Sequence, residues 1–172
     1  TAQIGAQASR EKRESCGGSC EKGRRQKEDL QVSGGIAINS QPPIHRVTIS
    51  VRWGDMDSFK HVNNAQFLRY LEEARVQWLA SIQGITLGDR ISPVLAASNV
   101  NYRQSIEWPS DIAIELFIER IGNSSLTMSH RMLAADDASV LYSDGSVVMV
   151  WIDTQTGGSV PLPEAVRAAC SV

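Results

Sequence analysis

The sequence predicts an α+β fold, with one long helix lying on one face of a curved antiparallel β-sheet. Three observations predict it. Val47, Ile49, Val51 and Trp53 alternate with Arg46, Thr48, Ser50 and Arg52, which is the period-two pattern of a half-buried strand. Phe67, Leu68, Leu71, Ala74, Trp78, Leu79 and Ile82 then recur at spacings of three and four, which is an amphipathic helix. The remainder reads as a run of strands joined by short turns, so strands and helix are segregated rather than alternating.

Each element has its own signals. The first strand occupies "HRVTISVRW" and the loop "GDMDSFKHV" follows it. The helix starts at Asn64 and runs to about Gln83, where the glycines of "QGITLGD" close it. Four further strands are expected in "PVLAASNVNYRQ", "DIAIELFIERI", "LTMSHRMLA" and "SVLYSDGSVVMVWID". "GNSS" and "ADDA" supply turns, "TQTGGSVPLP" ends the sheet, and a short tail helix includes Ala165 to Ala169. No internal repeat is present.

Composition divides the chain near Pro42-Pro43. Residues 1–44 carry 7 Lys and Arg against 5 Asp and Glu, few aliphatics and no aromatic residue, and are expected to form a disordered or weakly structured charged extension. Residues 45–172 are the folded domain. Hydrophobic residues make up 42% of the chain, enough for a sizeable core, and the net charge of −2 gives no overall pull toward nucleic acid. No apolar run approaches the roughly 20 residues of a membrane span, and the polar start carries no secretory h-region. A cytoplasmic protein with no nucleic-acid partner is therefore expected. Cys16, Cys20 and Cys170 are an odd set with no second pair, so neither a disulfide framework nor a zinc site is expected, and no cofactor is called for. The indoles of Trp53, Trp78, Trp108 and Trp151 read as core or interface, and His130, between Met128 and Met132, as structural or interfacial.

The loop before the helix holds the chemistry-bearing residues. Asp55, Asp57, His61, Asn63 and Asn64 fall within ten positions. Structure alone accounts for part of this: Asn63 sits at the N-cap, Gln66 completes a capping-box pattern, and carboxylates complement the helix dipole. The same loop also brings Asp57 and His61 to the first helical turn, where free N–H groups beginning at Asn64 can polarise a carbonyl. A carboxylate beside such a donor can attack a carbonyl carbon or activate water. From these residues alone it is a candidate hydrolytic site.

The segment "VRWGDMDSFKHVNNAQFLRYLEEAR" closely resembles acyl-CoA thioester hydrolases of the 4-hydroxybenzoyl-CoA thioesterase type. The family pattern is roughly Asp-x-Asp-x-x-x-His-Val-Asn-Asn, then an aromatic residue and a Glu-x-Ala-Arg helix. It is met here by Asp55, Asp57, His61, Val62, Asn63, Asn64, Phe67, Glu73, Ala74 and Arg75. Weaker echoes continue to about residue 168. The resemblance implies a hotdog fold, one long central helix wrapped by a curved antiparallel sheet, and hydrolysis of an acyl-CoA to free acid and CoA. It makes Asp57 the general base or nucleophile and the Asn64 backbone amide the group that polarises the carbonyl. His61 matches a functional position of plant acyl-carrier-protein thioesterases, but Phe59 replaces the Asn those enzymes carry, so a structural and a chemical role stay open. Asp55 shapes the loop.

The resemblance also implies substrate contacts at Asn63, Phe67, Glu73, Asn123, Ser124 and Ser125. Phe67 stands where some members have a Tyr, and the stretch "RIGNSSL" keeps Arg120 but is otherwise neutral where the bacterial enzyme grips CoA phosphates. The choice between CoA and carrier protein stays open. Glu73 is read as facing a partner's cleft or as a solvated helix residue. Edge-to-edge pairing into a homodimer or homotetramer is expected, with the acyl site between protomers. The rival functions are a non-catalytic acyl-CoA-binding hotdog protein and a hotdog hydratase or dehydratase.

Overall fold

The computed structural model describes residues 42–171. Most of the charged extension, with Cys16 and Cys20, lies outside the described residues. Five strands form one open antiparallel sheet in the order β1-β3-β4-β5-β2: β1 His45–Ser50, β2 Ile91–Tyr102, β3 Asp111–Ile121, β4 Ser125–Ala134 and β5 Leu141–Asp153. The main helix α1, Asn64–Ser81, follows β1, and a short helix α2, Glu164–Ala169, ends the domain. Backbone pairing begins one residue before β1, where the Ile44 N–H donates to the Leu116 carbonyl at 2.9 Å.

The core lies between α1 and one face of the sheet. Phe67, Tyr70, Leu71, Ala74, Trp78 and Leu79 of α1 are buried against Ile112, Ile114 and Leu116 of β3, Met128 and Met132 of β4, and Val147, Met149 and Trp151 of β5. Each large apolar side chain so buried contributes about 1.5–3 kcal/mol relative to exposure. Burial alternates along β1 and β5 as the period-two pattern requires, whereas β3 is buried on both faces from Ile112 to Phe117. Leu68 is the exception among the expected helix contacts. It is 44% exposed, because Phe67 and Leu71 already fill the turn's inward positions.

Several boundaries differ from expectation for physical reasons. The first strand ends at Ser50, and Trp53 opens a one-turn 3-10 helix that takes its ring out of the core to 75% exposure. Trp108 is also half exposed, so only Trp78 and Trp151 are core tryptophans. β2 starts two residues earlier than expected and includes Pro93. β2 has a neighbour on one side only, so a residue without an N–H costs no ladder bond on its free edge.

The outer face carries a row of polar residues in register across all five strands, four of them charged: Arg46, Glu115, Arg131, Asp144 and Asn101 are successive cross-strand neighbours. Glu115 accepts from Arg131 at 2.8 Å and pairs with Arg46 at 3.6 Å, while Asp144 binds Asn101 at 2.7 Å and Arg103 at 2.9 and 3.1 Å. A one-residue slip of β1, β3, β4 or β5 would turn its charge into the core, so the row reinforces register. On the inner face His130 is 2% exposed and lies opposite Gly145. A Cβ on Gly145 would collide with the Asn99 carbonyl and reach 2.9 Å from the His130 ring, so only glycine fits there. The expected placement of His130 beside two buried methionines holds.

Candidate active site

The loop from Trp53 to Asn63 is fastened to the main helix through Asp55. The Asp55 carboxylate, 8% exposed, accepts the Tyr70 hydroxyl at 2.6 Å and the Arg52 N–H at 2.9 Å. Its carbonyl takes the Asn63 N–H at 2.9 Å. Burial and the Asp55 carboxylate push the Tyr70 phenol well above its usual range. One buried carboxylate thus ties the end of β1's extension, the loop and the second turn of α1 together. That bond also explains why the expected capping box is incomplete: the Asn63 N–H that Gln66 would have bonded is already used. The cap itself is present, with Asn63 Oδ1 accepting from Ala65 N–H at 2.9 Å.

Asp57 stands one turn farther out and is half-buried. Its Oδ1 accepts the N–H of Phe59 at 2.8 Å and, more weakly, that of His61 at 3.4 Å. Backbone bonds from Asp57 N–H to the His61 carbonyl (2.8 Å) and from Lys60 N–H to the Asp57 carbonyl (3.1 Å) close the turn. The second carboxylate oxygen makes no bond among the described residues. Because Asn63 caps through Ala65, the Asn64 N–H at the head of α1 also has no acceptor among the described residues. Asp57, His61, Asn64 and Phe67 border one cavity of about 470 Å³. The His61 Nε2 lies 3.9 Å from a Glu107 carboxylate oxygen.

Tyr102 was not singled out from the sequence and belongs to this cavity. It sits at the end of β2, its ring meets Phe67 edge-on with centroids 5.1 Å apart, and its hydroxyl donates to the Asn64 carbonyl at 3.3 Å. The alternation in "NVNYR" pairs Tyr102 with Val100 on the inner side, which was the available signal. A phenol missing at Phe67 is therefore present a few ångströms away on another element.

The other expected contacts lie elsewhere in the chain. Glu73 is exposed, accepts from Gln77 at 2.8 Å, and lines a separate groove between α1 and β1. Ser125 and Val94 both pair with Val150, whereas Tyr102 pairs with Ser143. The Asn123–Ser125 hairpin is thus level with a point eight residues back along β2, about 25 Å from the Asp57 cavity at the rise of a strand. It is fastened by Arg167, whose guanidinium donates to the Gly122 and Asn123 carbonyls at 2.8 Å.

Comparison with known proteins gives a consistent picture. Residues 51–170 match the family model described as the Thioesterase-like superfamily. The long-chain acyl-CoA thioesterase FadM of Escherichia coli is 30% identical over 122 residues, 69% of this chain and 91% of that protein. A solved structure of a candidate acyl-CoA thioesterase from Xanthomonas campestris is 59% identical, covers 65% of this chain and 95% of its own, and superposes with a TM-score of 0.61. A Thermus thermophilus thioesterase solved with coenzyme A and Zn is 32% identical, with coverage of 76% and 93% and a TM-score of 0.66.

Proposed function

The chain belongs to the Thioesterase-like superfamily, and from that premise we propose that it is an acyl-CoA thioesterase of the hotdog type, releasing free acid and CoA. The observation that supports this most is that an Asp57 carboxylate oxygen and the Asn64 N–H, both without a bond among the described residues, belong to residues bordering one cavity. Asp57 either draws a proton from the water that attacks the thioester carbon, or attacks that carbon itself to give an acyl-aspartyl anhydride that water then cleaves to the free acid. The Asn64 N–H receives the carbonyl oxygen as negative charge develops on it, and the CoA sulfur leaves as thiolate and takes up a proton. Phe67 and Tyr102 line the acyl side, and Asn63 holds the Asn64 amide in place through its cap.

In this reading the sheet curves around α1, and two copies pair along β2. That strand is twelve residues long, has a free edge, and exposes Ile91, Val94, Leu95 and Tyr102. The shorter edge strand β1 offers six residues. An antiparallel two-fold through the middle of β2 carries the Asn123–Ser125 hairpin of one copy toward the Asp57 cavity of the other, which is how these residues reach substrate. The same operation supports a homodimer, or a homotetramer built from it. Among the described residues no helix is long and apolar enough to cross a membrane, and a cytoplasmic location accords with that.

An acyl-CoA panel assayed by free-thiol release tests the function. Thiol release with at least one acyl-CoA is expected. Binding without release would favour the non-catalytic alternative, and hydration of an enoyl-CoA without thiol release would favour the hydratase.

A further inference from the structure

The Asp57 loop has a cavity on each side, and the acyl-side cavity accounts for one of them. The second, of about 770 Å³, is lined by Trp53, Met56, Asp57, Lys60, Glu107 and Trp108. Two features set it apart. Trp53 and Trp108 are 75% and 49% exposed, although indoles are ordinarily well buried, and both border this one groove. Lys60 has φ +64°, the one positive φ of a non-glycine residue among the described residues. Left-handed backbone at a residue with a side chain is strained, and such strain gathers at ligand clamps.

We propose that this groove takes the adenosine phosphate end of the coenzyme A thioester, an inference that rests on the thioesterase function above. A thioester carbon held at Asp57 has two substituents that need an outlet, the acyl chain and the pantetheine arm. Two cavities meet at that residue. The one walled by Phe59, Val62 and Phe67 suits the acyl chain. The one walled by two indoles and an ammonium suits a planar base carrying phosphates. Indole faces stack on any purine, and lysine binds phosphate as a point charge. The groove wall also carries two carboxylates: Glu107, 3.9 Å from His61 Nε2, and Asp57, whose Oδ1 accepts the Phe59 N–H and whose second oxygen serves the thioester carbon. The groove is formed entirely within one protomer, unlike the Asn123–Ser125 contact.

The test compares the acyl-CoA that the wild-type protein turns over best with the N-acetylcysteamine thioester of the same acyl group, which lacks the nucleotide. Trp53→Ala removes a ring that packs on little else. It is expected to raise KM for the CoA ester about tenfold, with kcat and the truncated ester unchanged. Lys60→Gln is expected to raise the same KM and flatten its dependence on ionic strength. Equal effects on both esters, or none on either, would overturn the assignment. Isothermal titration with free CoA needs no turnover: about tenfold weaker binding by Trp53→Ala supports the groove, and unchanged affinity overturns it. A wild-type protein that binds CoA through Trp53 yet releases no thiol would refute the thioesterase function and leave the groove standing.

Discussion

Acidification will destabilise the domain through His130. Burial, reinforced by the nearby Arg75 charge, lowers the His130 pKa from 6.5 to about 4, while Asp144 opposes the shift more weakly. The ring is 2% exposed, and its Nε2 has no hydrogen-bond partner among the described residues. The folded protein therefore keeps it neutral where the unfolded chain protonates it. For a pKa depressed on folding, the stability is fully present above 6.5 and is lost as pH falls toward 4. At 1.36 kcal/mol per pK unit the loss reaches about 2 kcal/mol by pH 5 and about 3 kcal/mol near pH 4. Urea unfolding between pH 7 and pH 4.5 measures it, with His130→Leu as the comparison because that side chain fills similar volume and does not titrate. The wild-type free energy is expected to fall more steeply than the variant's by that amount. Parallel slopes would refute the reasoning, since His45, whose pKa is also lowered by burial, is common to both proteins.

Three further stability predictions concern the loop and the packing of β5. Tyr70→Phe removes the donor to buried Asp55 and is expected to cost about 2 kcal/mol, the range for a hydrogen bond to a charged group, read by denaturant midpoint. Lys60→Gly relieves left-handed strain of about 1–2 kcal/mol and gives back about 0.4–1 kcal/mol in unfolded-chain entropy, so a net gain of about 0.5–1 kcal/mol is expected in the same assay. Gly145→Ala forces a methyl group into the Asn99 carbonyl, and the melting temperature is expected to drop by more than for any of these changes.

The strand and helix order was legible because the core is periodic: Ile112, Ile114 and Leu116, or Phe67, Leu71, Ala74 and Trp78, announce their faces in the sequence. The cap at Asn63 was legible because it is local. What failed was mostly non-local. The alternation that aligned Trp53 with Val47, Ile49 and Val51 runs on past Ser50, where the strand ends, and period alone cannot mark that end. The Asp55–Tyr70 bond joins residues fifteen apart on different elements, so nothing in the spacing distinguished Asp55 as the buried carboxylate and Asp57 as the partly free one. The family pattern supplied that distinction. Tyr102 was hidden for the same reason, since its role depends on β2 ending beside the head of α1. The distance from Asn123–Ser125 to Asp57 follows from the strand pairing, which sequence order does not reveal.

In the proposed mechanism Asp57 carries out the chemistry while Asp55 and Asn63 hold its surroundings. Asp57→Asn tests it most directly, because the amide keeps the acceptor that the Phe59 N–H requires but can neither take a proton nor attack. With the acyl-CoA that the wild-type protein turns over best, thiol release by the variant is expected to fall 100-fold or more, about 3 kcal/mol in barrier height. Far-ultraviolet circular dichroism and the melting temperature are expected to stay at wild-type values. A folded Asp57→Asn protein with near wild-type turnover would contradict the account.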